Sequence, residues 1–475
     1  MKRALSRSRL LAPLAAVLVL FLGGCGSDEG TPAGGEPNGG DPNGGEPNGG
    51  EPNGGETETD LVGSLEGDLN VDLFASLLQK SDAEVDEKLT TAVNRFFGIG
   101  TGEPNQLIVD SGYRCYYELP QDPSMAFIWA ADSNDIRSEG MSYGMMVAVQ
   151  MDLHQQFDRL WKFTKTYLQF PVDHEIGAWH SYFRWQGRVD AVADPSNWAV
   201  NYGTNTVPAP DGDEYFAAAL FLAHRRWGSA GDVNYLAEAQ QIASGMLHNV
   251  AVPGDGAMRP ARFPIIDPQQ KMVTFVPQGN SNNFSDPSYH LPAFYELYAQ
   301  DGAAEDSAAW RDVAETSRAY LVRSAHATTG LHPDYASFDG VPNAGGNMQQ
   351  HDQFQYDAWR VVMNMAVDYA WGSRDARMET QIEKYHRFFS SRLTEINVQA
   401  ALFVLDGSSS SGGGSTALTA TLAAGALGSR HVDRARFVGN LWNVSQQQGQ
   451  YRYYQEGVYL LGLLNTAGRF RSTWP

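Results

Sequence analysis

The stretch SEGMSYGMMVAVQMDLHQQFDRLWKFTKTYLQ, residues 138–169, sets the reading of the whole body. Its second half places Phe157, Leu160, Trp161, Thr164 and Leu168 at the i, i+3, i+4, i+7 spacing of a helix with one apolar face. Its first half is small or apolar almost throughout, the pattern of a helix covered on every side. Only a few residues separate the two, so 138–152 and 155–169 read as a helical hairpin.

Outward from there the pairing recurs. Helices are predicted at 213–227 with 232–248, 287–300 with 306–326, and 355–371 with 376–391, and others at 83–96, 415–427, 432–446 and 455–468. Longer loops rich in Trp, Tyr, Pro, Gly and Asp lie between the pairs. Val172–Ala209 is one, and Val250–Asn283 is another, with a short strand pair expected around Val273-Thr-Phe-Val276. Helices in alternating short and long connections predict an all-α fold, a closed ring of helical hairpins with its long loops gathered at one end. A solenoid of regular repeats is the alternative, but the stretch has no fixed period.

The ends have a different composition. Lys2, Arg3, Arg7 and Arg9 precede an apolar run from Leu10 to Leu22, and Gly23-Gly24-Cys25 follows it. A basic head, an apolar core and small residues before a cleavage point are a secretion signal. The cysteine makes it resemble a bacterial lipoprotein signal, with Cys25 as the lipid-bearing first residue after cleavage and the membrane as its partner. From Gly26 to Asp60 there is no Lys or Arg, and four copies of a (Glu/Asp)-Pro-Asn-Gly-Gly pentapeptide follow one another from Glu36 to Gly55. With nothing to bury, this segment is expected to be a flexible acidic tether. The expected organisation is therefore signal 1–25, tether 26–60 and catalytic body 61–475, placed in the cell envelope or secreted, and monomeric.

Charge and cysteine content exclude whole classes of function. The 475 residues carry 34 Lys and Arg against 55 Asp and Glu, a net charge of −21, which argues against nucleic acid as a partner. Two cysteines cannot build a disulfide scaffold or a Cys-rich zinc module. The tether and signal account for part of the charge, leaving the body at −16.

Four acidic residues stand at or just before predicted inner helices: Glu139, Asp211, Asp286 and Asp357. Acids favour helix N-termini, and capping is the preferred reading of Asp286, directly before Pro287. Glu139 and Asp357 sit instead among Tyr, Trp and apolar residues. Such surroundings disfavour a carboxylate and suit a general acid near neutral pH. Paired carboxyls beside aromatic platforms are the design for sugar hydrolysis. Trp179, His180, Tyr182, Phe183 and Trp185 are candidate platforms, or else they pack their loop onto the ring.

Four strings, in order, then become specific. Ile136-Arg-Ser-Glu-Gly-Met-Ser-Tyr-Gly-Met-Met146 resembles the signature of glycoside hydrolase family 8. So do Ala209-Pro-Asp-Gly-Asp-Glu-Tyr-Phe216, Asp286-Pro-Ser-Tyr-His-Leu-Pro292 and Tyr356-Asp-Ala-Trp-Arg-Val361. The resemblance covers nearly the whole body and is strongest to the xylan-active branch. It implies an (α/α)6 toroid and inverting cleavage of β-1,4-linked polysaccharides or oligosaccharides, without metal or organic cofactor. On that likeness Glu139 matches the proton donor, Asp357 the general base and Asp211 an acid that holds the distorted sugar. Tyr289 matches a tyrosine beside the attacking water. Tyr143 and Arg360, within two of the strings, are counted with Tyr289 and Trp185 as substrate- or water-binding residues.

Two departures bear on specificity. Xylan-active relatives can place a sugar-stacking Trp where this chain reads Thr204-Asn-Thr-Val207. Relatives that release single xylose from reducing ends close the product side with a His-Pro loop, whereas Gly407 to Thr416 holds only Gly, Ser and Thr here. An open product side favours endo over exo cleavage.

Rival chemistries leave weaker traces. Asp173-His-Glu175, His332-Pro-Asp334 and His351-Asp352 hold metal-ligand residue types, but no His-Glu-x-x-His is present. Gly140-Met-Ser-Tyr-Gly144 spells a nucleophile elbow, yet it lies in a predicted helix without a parallel sheet. Glucan or chitosan hydrolysis, or a non-catalytic glycan-binding lipoprotein, are the remaining alternatives.

Overall fold

The computed structural model describes residues 71–171, 179–190, 199–201, 207–255, 260–345 and 350–474. Thirteen α-helices run through them: α1 Leu73–Leu78, α2 Asp82–Phe97, α3 Ser138–Gln150, α4 His154–Phe163, α5 Pro210–Trp227, α6 Tyr235–His248 and α7 Pro292–Asp301. There follow α8 Ser307–Arg323, α9 Val361–Asp368, α10 Ala376–Ser390, α11 Thr416–Gly425, α12 Arg434–Asn443 and α13 Arg452–Thr466. Each expected helix is present, and α1, too short to show a period, is additional.

The helices form the expected (α/α)6 toroid. Helices α3, α5, α7, α9, α11 and α13 pack in that order around an inner ring, and α13 closes it against α3. Each carries an outer partner: α4 on α3, α6 on α5, α8 on α7, α10 on α9, α12 on α11 and α2 on α13. The sixth hairpin is thus assembled from the two ends of the folded body. Burial follows position. In α3 every residue except Glu139 is buried, and in α5 the run from Pro210 to Ala223 is. Outer α4 buries only Phe157, Leu160, Trp161 and Phe163; Thr164 and Leu168 of the predicted stripe are buried in the π turn Thr164–Leu168 that continues it.

Helix ends differ from the sequence expectation where backbone chemistry intervenes. The 287–300 helix is split: Pro287–Tyr289 is a 3₁₀ turn, and α7 starts at Pro292, a residue suited to a first helical turn. The 355–371 helix opens with a 3₁₀ turn, Asp357–Arg360, and ends in a π turn, Tyr369–Ser373. The strand pair near Val273–Val276 is displaced: Ile266–Asp267 pairs with Met272–Val273, and Asp267 Oδ1 accepts from the amides of Gln269 and Gln270 to hold the turn between them. Within the loop 172–209, Gln186–Asp190 pairs with Ile136–Arg137 and Ala199–Asn201, laying a small antiparallel sheet beside the start of α3. Cys25, the tether and Asp173-His-Glu175 lie outside the described residues, as does Thr204–Thr206 of the 204–207 string. Among the described residues no helix is long and apolar enough to cross a membrane.

Candidate active site

The N-terminal ends of α3, α5 and α13 and the 3₁₀ turns before α7 and α9 converge on one guanidinium. Arg360 has a side chain only 4 % exposed. Its Nη1 donates to Glu139 Oε2 at 3.1 Å, to Asp211 Oδ2 at 2.9 Å and to the Tyr143 hydroxyl at 2.6 Å. Its Nη2 donates to Asp357 Oδ1 at 3.0 Å and to the Ser288 hydroxyl at 2.7 Å, with Asp286 Oδ2 3.9 Å away. Its Cζ lies over the Tyr289 ring, 5.8 Å from the ring centroid. Residues 221 and 149 positions apart from Arg360 in sequence meet on this one side chain because the inner ring is closed.

Close helix packing positions the acids. A Cβ added to Gly140 would meet the Tyr453 ring at 2.4 Å. That contact lets the Tyr453 hydroxyl donate to Glu139 Oε1 at 3.0 Å. Likewise a Cβ on Gly212 would lie 2.4 Å from Ser138 Oγ, so α5 abuts α3 directly beside Asp211 and Glu139. Neither Arg137, before α3, nor Ala209, before α5, caps its helix through a side chain.

Four carboxyls around one cation cannot all be charged at little cost. Burial first, then Asp211 and Asp357, push the Glu139 carboxyl up against the pull of Arg360, to about 7. Oε2 faces the guanidinium, so a proton on Glu139 belongs on Oε1. Burial also raises Asp211, although Arg360 and the Gly212 amide, 2.8 Å from Oδ1, oppose it. Asp286 is raised well above the carboxylate range by burial and by Asp357. Exposure divides the four: the Asp357 side chain is 28 % exposed, Glu139 15 %, Asp211 5 % and Asp286 0 %. Asp357 is therefore the carboxyl that meets solvent most freely, and Glu139 the partly enclosed one with a raised affinity for its proton. Such a pair can donate a proton on one side of a bound group and deprotonate water on the other. Linked through one guanidinium, they stand no farther apart than the about 9.5 Å upper limit of an inverting pair.

The structure brings together Glu139, Asp211, Asp357, Tyr143, Tyr289 and Arg360. Trp185 is half-buried at the edge of this group, its carbonyl accepting from the Ser138 amide at 2.9 Å. Three of the other aromatic candidates pack the loop instead. Trp179 is buried and donates to the Pro277 carbonyl, Tyr182 is buried and donates to the Gly245 carbonyl, and Phe183 packs on Phe216. Asp286 caps its turn as expected, accepting from the Ser288 amide at 2.7 Å, while its second oxygen turns toward Arg360 without a hydrogen bond. Ser142 lies inside α3 and donates back to the Glu139 carbonyl, which is no nucleophile elbow.

Two contributors were not legible. Tyr453 is 314 residues from Glu139, and no motif read in the sequence includes it. Asp334 accepts from the Ala358 amide at 3.2 Å and pairs with His351 Nδ1 at 3.1 Å, so it braces the turn carrying Asp357. Burial first, with Asp357 adding to it, pushes Asp334 up to about 6. His332 turns away to Tyr385 and the Leu321 carbonyl. Among the described residues no three His, Cys, Asp or Glu side chains converge as metal ligands would.

Comparison with known proteins identifies the family. The family model described as glycosyl hydrolases family 8 matches residues 127–468. A reducing-end xylose-releasing exo-oligoxylanase of Paenibacillus barcinonensis is 34 % identical over 86 % of this chain and 98 % of its own length. An endoglucanase of Ruminiclostridium josui is 26 % identical over 76 % of this chain and 68 % of its own. Among solved structures, the xylobiose complex of a family 8 protein from Teredinibacter turnerae superposes with a TM-score of 0.74 at 36 % identity, covering 85 % of this chain and 97 % of that one.

Proposed function

Because this chain belongs to glycosyl hydrolases family 8 and is an enzyme that hydrolyses glycosidic bonds, we propose that it cleaves β-1,4-xylosidic bonds of xylan and xylo-oligosaccharides with inversion. The observation that carries the reading is the Arg360-centred cluster, with an enclosed Glu139 raised to about 7 and a more open Asp357. In this mechanism Glu139 gives its proton to the leaving glycosidic oxygen. Asp357 takes a proton from a water on the opposite face of the sugar, and the Tyr289 hydroxyl orients that water. Asp211 holds the ring in its distorted form. Arg360 keeps the acids at fixed spacing and stabilises the carboxylate left on Glu139 after proton transfer. Trp185 offers a stacking face.

Within xylan chemistry we favour endo cleavage, supported by the Gly/Ser/Thr stretch 407–416 and by the likeness to a xylanase from Teredinibacter turnerae solved with xylohexaose, 35 % identical. The exo-oligoxylanase names of other relatives favour the second reading, xylose release from reducing ends. Xylohexaose labelled at its reducing end separates them: endo action gives labelled products of several lengths, and labelled xylose alone overturns it. Glu139→Gln and Asp357→Asn should each lower hydrolysis of xylan about a thousandfold while glycan binding persists; full activity in both sinks the mechanism. Cleavage of β-glucan in place of xylan would transfer the same machinery to the endoglucanase reading. We further propose that the enzyme is a monomer held to the cell envelope by lipid on Cys25 through the acidic tether. Cys25→Ser should release it from the membrane fraction, and continued sedimentation with membranes would refute the anchor.

A further inference from the structure

Behind Asp211, helix α5 carries two more acids into the interior. Asp213 and Glu214 are fully buried, and each keeps one carboxyl oxygen without a hydrogen-bond partner. The other oxygen of Glu214 contacts the hydroxyl of Tyr295, on α7, and that hydroxyl also lies 3.2 Å from the carbonyl oxygen of Tyr289. A tyrosine hydroxyl has one hydrogen, and a carbonyl can only accept. If Tyr295 donates to an ionised Glu214, the Tyr289 carbonyl loses this donor. Glu214 would then be a buried charge with one bare oxygen, and among the described residues no cation bonds to it. Both defects are costly away from water. Reversing the first contact returns the donor to Tyr289 and removes the charge, leaving bare only a neutral carbonyl oxygen: a neutral carboxyl donates to Tyr295, and Tyr295 donates to Tyr289.

The surroundings favour the neutral form. Asp211 and Asp213 face Glu214 from its own helix, Tyr295 and Tyr298 face it from α7, and Arg360 acts from the turn before α9. Burial and the two neighbouring acids outweigh Arg360 and the Tyr295 hydrogen bond, holding the carboxyl well above its ordinary range. Trp310, on α8, stacks on Tyr295 at 5.6 Å and fixes the ring that makes the link.

We propose that Glu214 is a protonated positioning residue: its carboxyl donates to the Tyr295 hydroxyl, which donates to the Tyr289 carbonyl and fixes the turn that presents Tyr289 to the attacking water. The link between Glu214 and the reaction rests on the role given to Tyr289 above; its protonation does not. In Glu214→Gln the amide N–H₂ replaces the carboxyl as donor, whereas Glu214→Leu and Tyr295→Phe break the chain at its two joints. The infrared difference between wild type and Glu214→Gln at neutral pH should show loss of a protonated-carboxyl C=O stretch; loss of a carboxylate band instead overturns the proposal. On xylohexaose, Glu214→Leu and Tyr295→Phe should lower kcat about tenfold or more with KM within about twofold, while Glu214→Gln stays within about threefold of wild type. A Glu214→Gln variant as impaired as Glu214→Leu would contradict the donor role. Should Glu214→Leu not fold, Tyr295→Phe, whose hydroxyl makes both contacts, still reads the loss of the chain. If wild type cleaves no xylan the functional reading fails, and the infrared result still decides the proton.

Discussion

At the residue scale the site is an electrostatic compromise, four carboxyls sharing one guanidinium and too little water. Glu139 carries the clearest consequence. Its proton, held to about 7, is complete below that value and lost as pH rises through it, so kcat/KM should fall with increasing pH on that limb. A pH–rate profile of wild type checks this, and a rate that climbs steadily through pH 8 would deny Glu139 the acid role. Removing the proton altogether, in Glu139→Gln, should cost about a thousandfold in kcat on xylohexaose. Arg360 is bound to five side chains through two nitrogens. An ammonium cannot reproduce that fork, and Arg360→Lys is expected to lower kcat about a hundredfold and to shift the Glu139 limb upward, as the nearest cation recedes. An unshifted limb would mean that Arg360 does not tune Glu139.

At the scale of elements, the spacing of side chains decides what sequence can and cannot reveal. The apolar stripe of α4 and the near-uniform burial of α3 were legible because each spans several turns. The strands, two to five residues long, are too short for alternation to be distinct, and the 3₁₀ turn before α7 follows from Pro287 and Pro292 and not from an apolar period. Glu139 and Asp357 stood out by their surroundings, and Asp211 entered with them through the family's strings. Tyr453, Asp334 and the reach of Arg360 were not legible, because they act across hydrogen bonds between distant segments. The junction of α3 and α13 is a sensitive one. Gly140→Ala would drive its methyl into the Tyr453 ring, so it should separate the Tyr453 hydroxyl from Glu139 and cost about 1–3 kcal/mol of stability. Chemical denaturation of that variant, beside its kcat, checks both effects.

For the whole molecule, the ring closes only when the last inner helix, α13, meets α3, and its outer partner α2 comes from the other end of the body. Removing 452–475 should therefore abolish cooperative unfolding, whereas removing 1–60 should leave the melting temperature and kcat unchanged. Buried acids also give the fold a pH signature. Folding holds the Asp213 proton far above the 3.8 at which a free carboxyl releases it, so that stabilisation is complete below 3.8 and declines as pH rises. Asp213→Asn, which keeps an acceptor for the Phe183 amide, should gain in melting temperature relative to wild type between about pH 4 and pH 8. A constant difference would show that Asp213 is ionised in the fold. The central claim, however, is an enclosed acid and an open base working on opposite faces of one sugar. Its most direct test is the anomeric configuration of the first product formed from xylohexaose, read by proton NMR before mutarotation. Inversion at a β-linkage predicts the α-anomer at the new reducing end, and an initial β-anomer would contradict it.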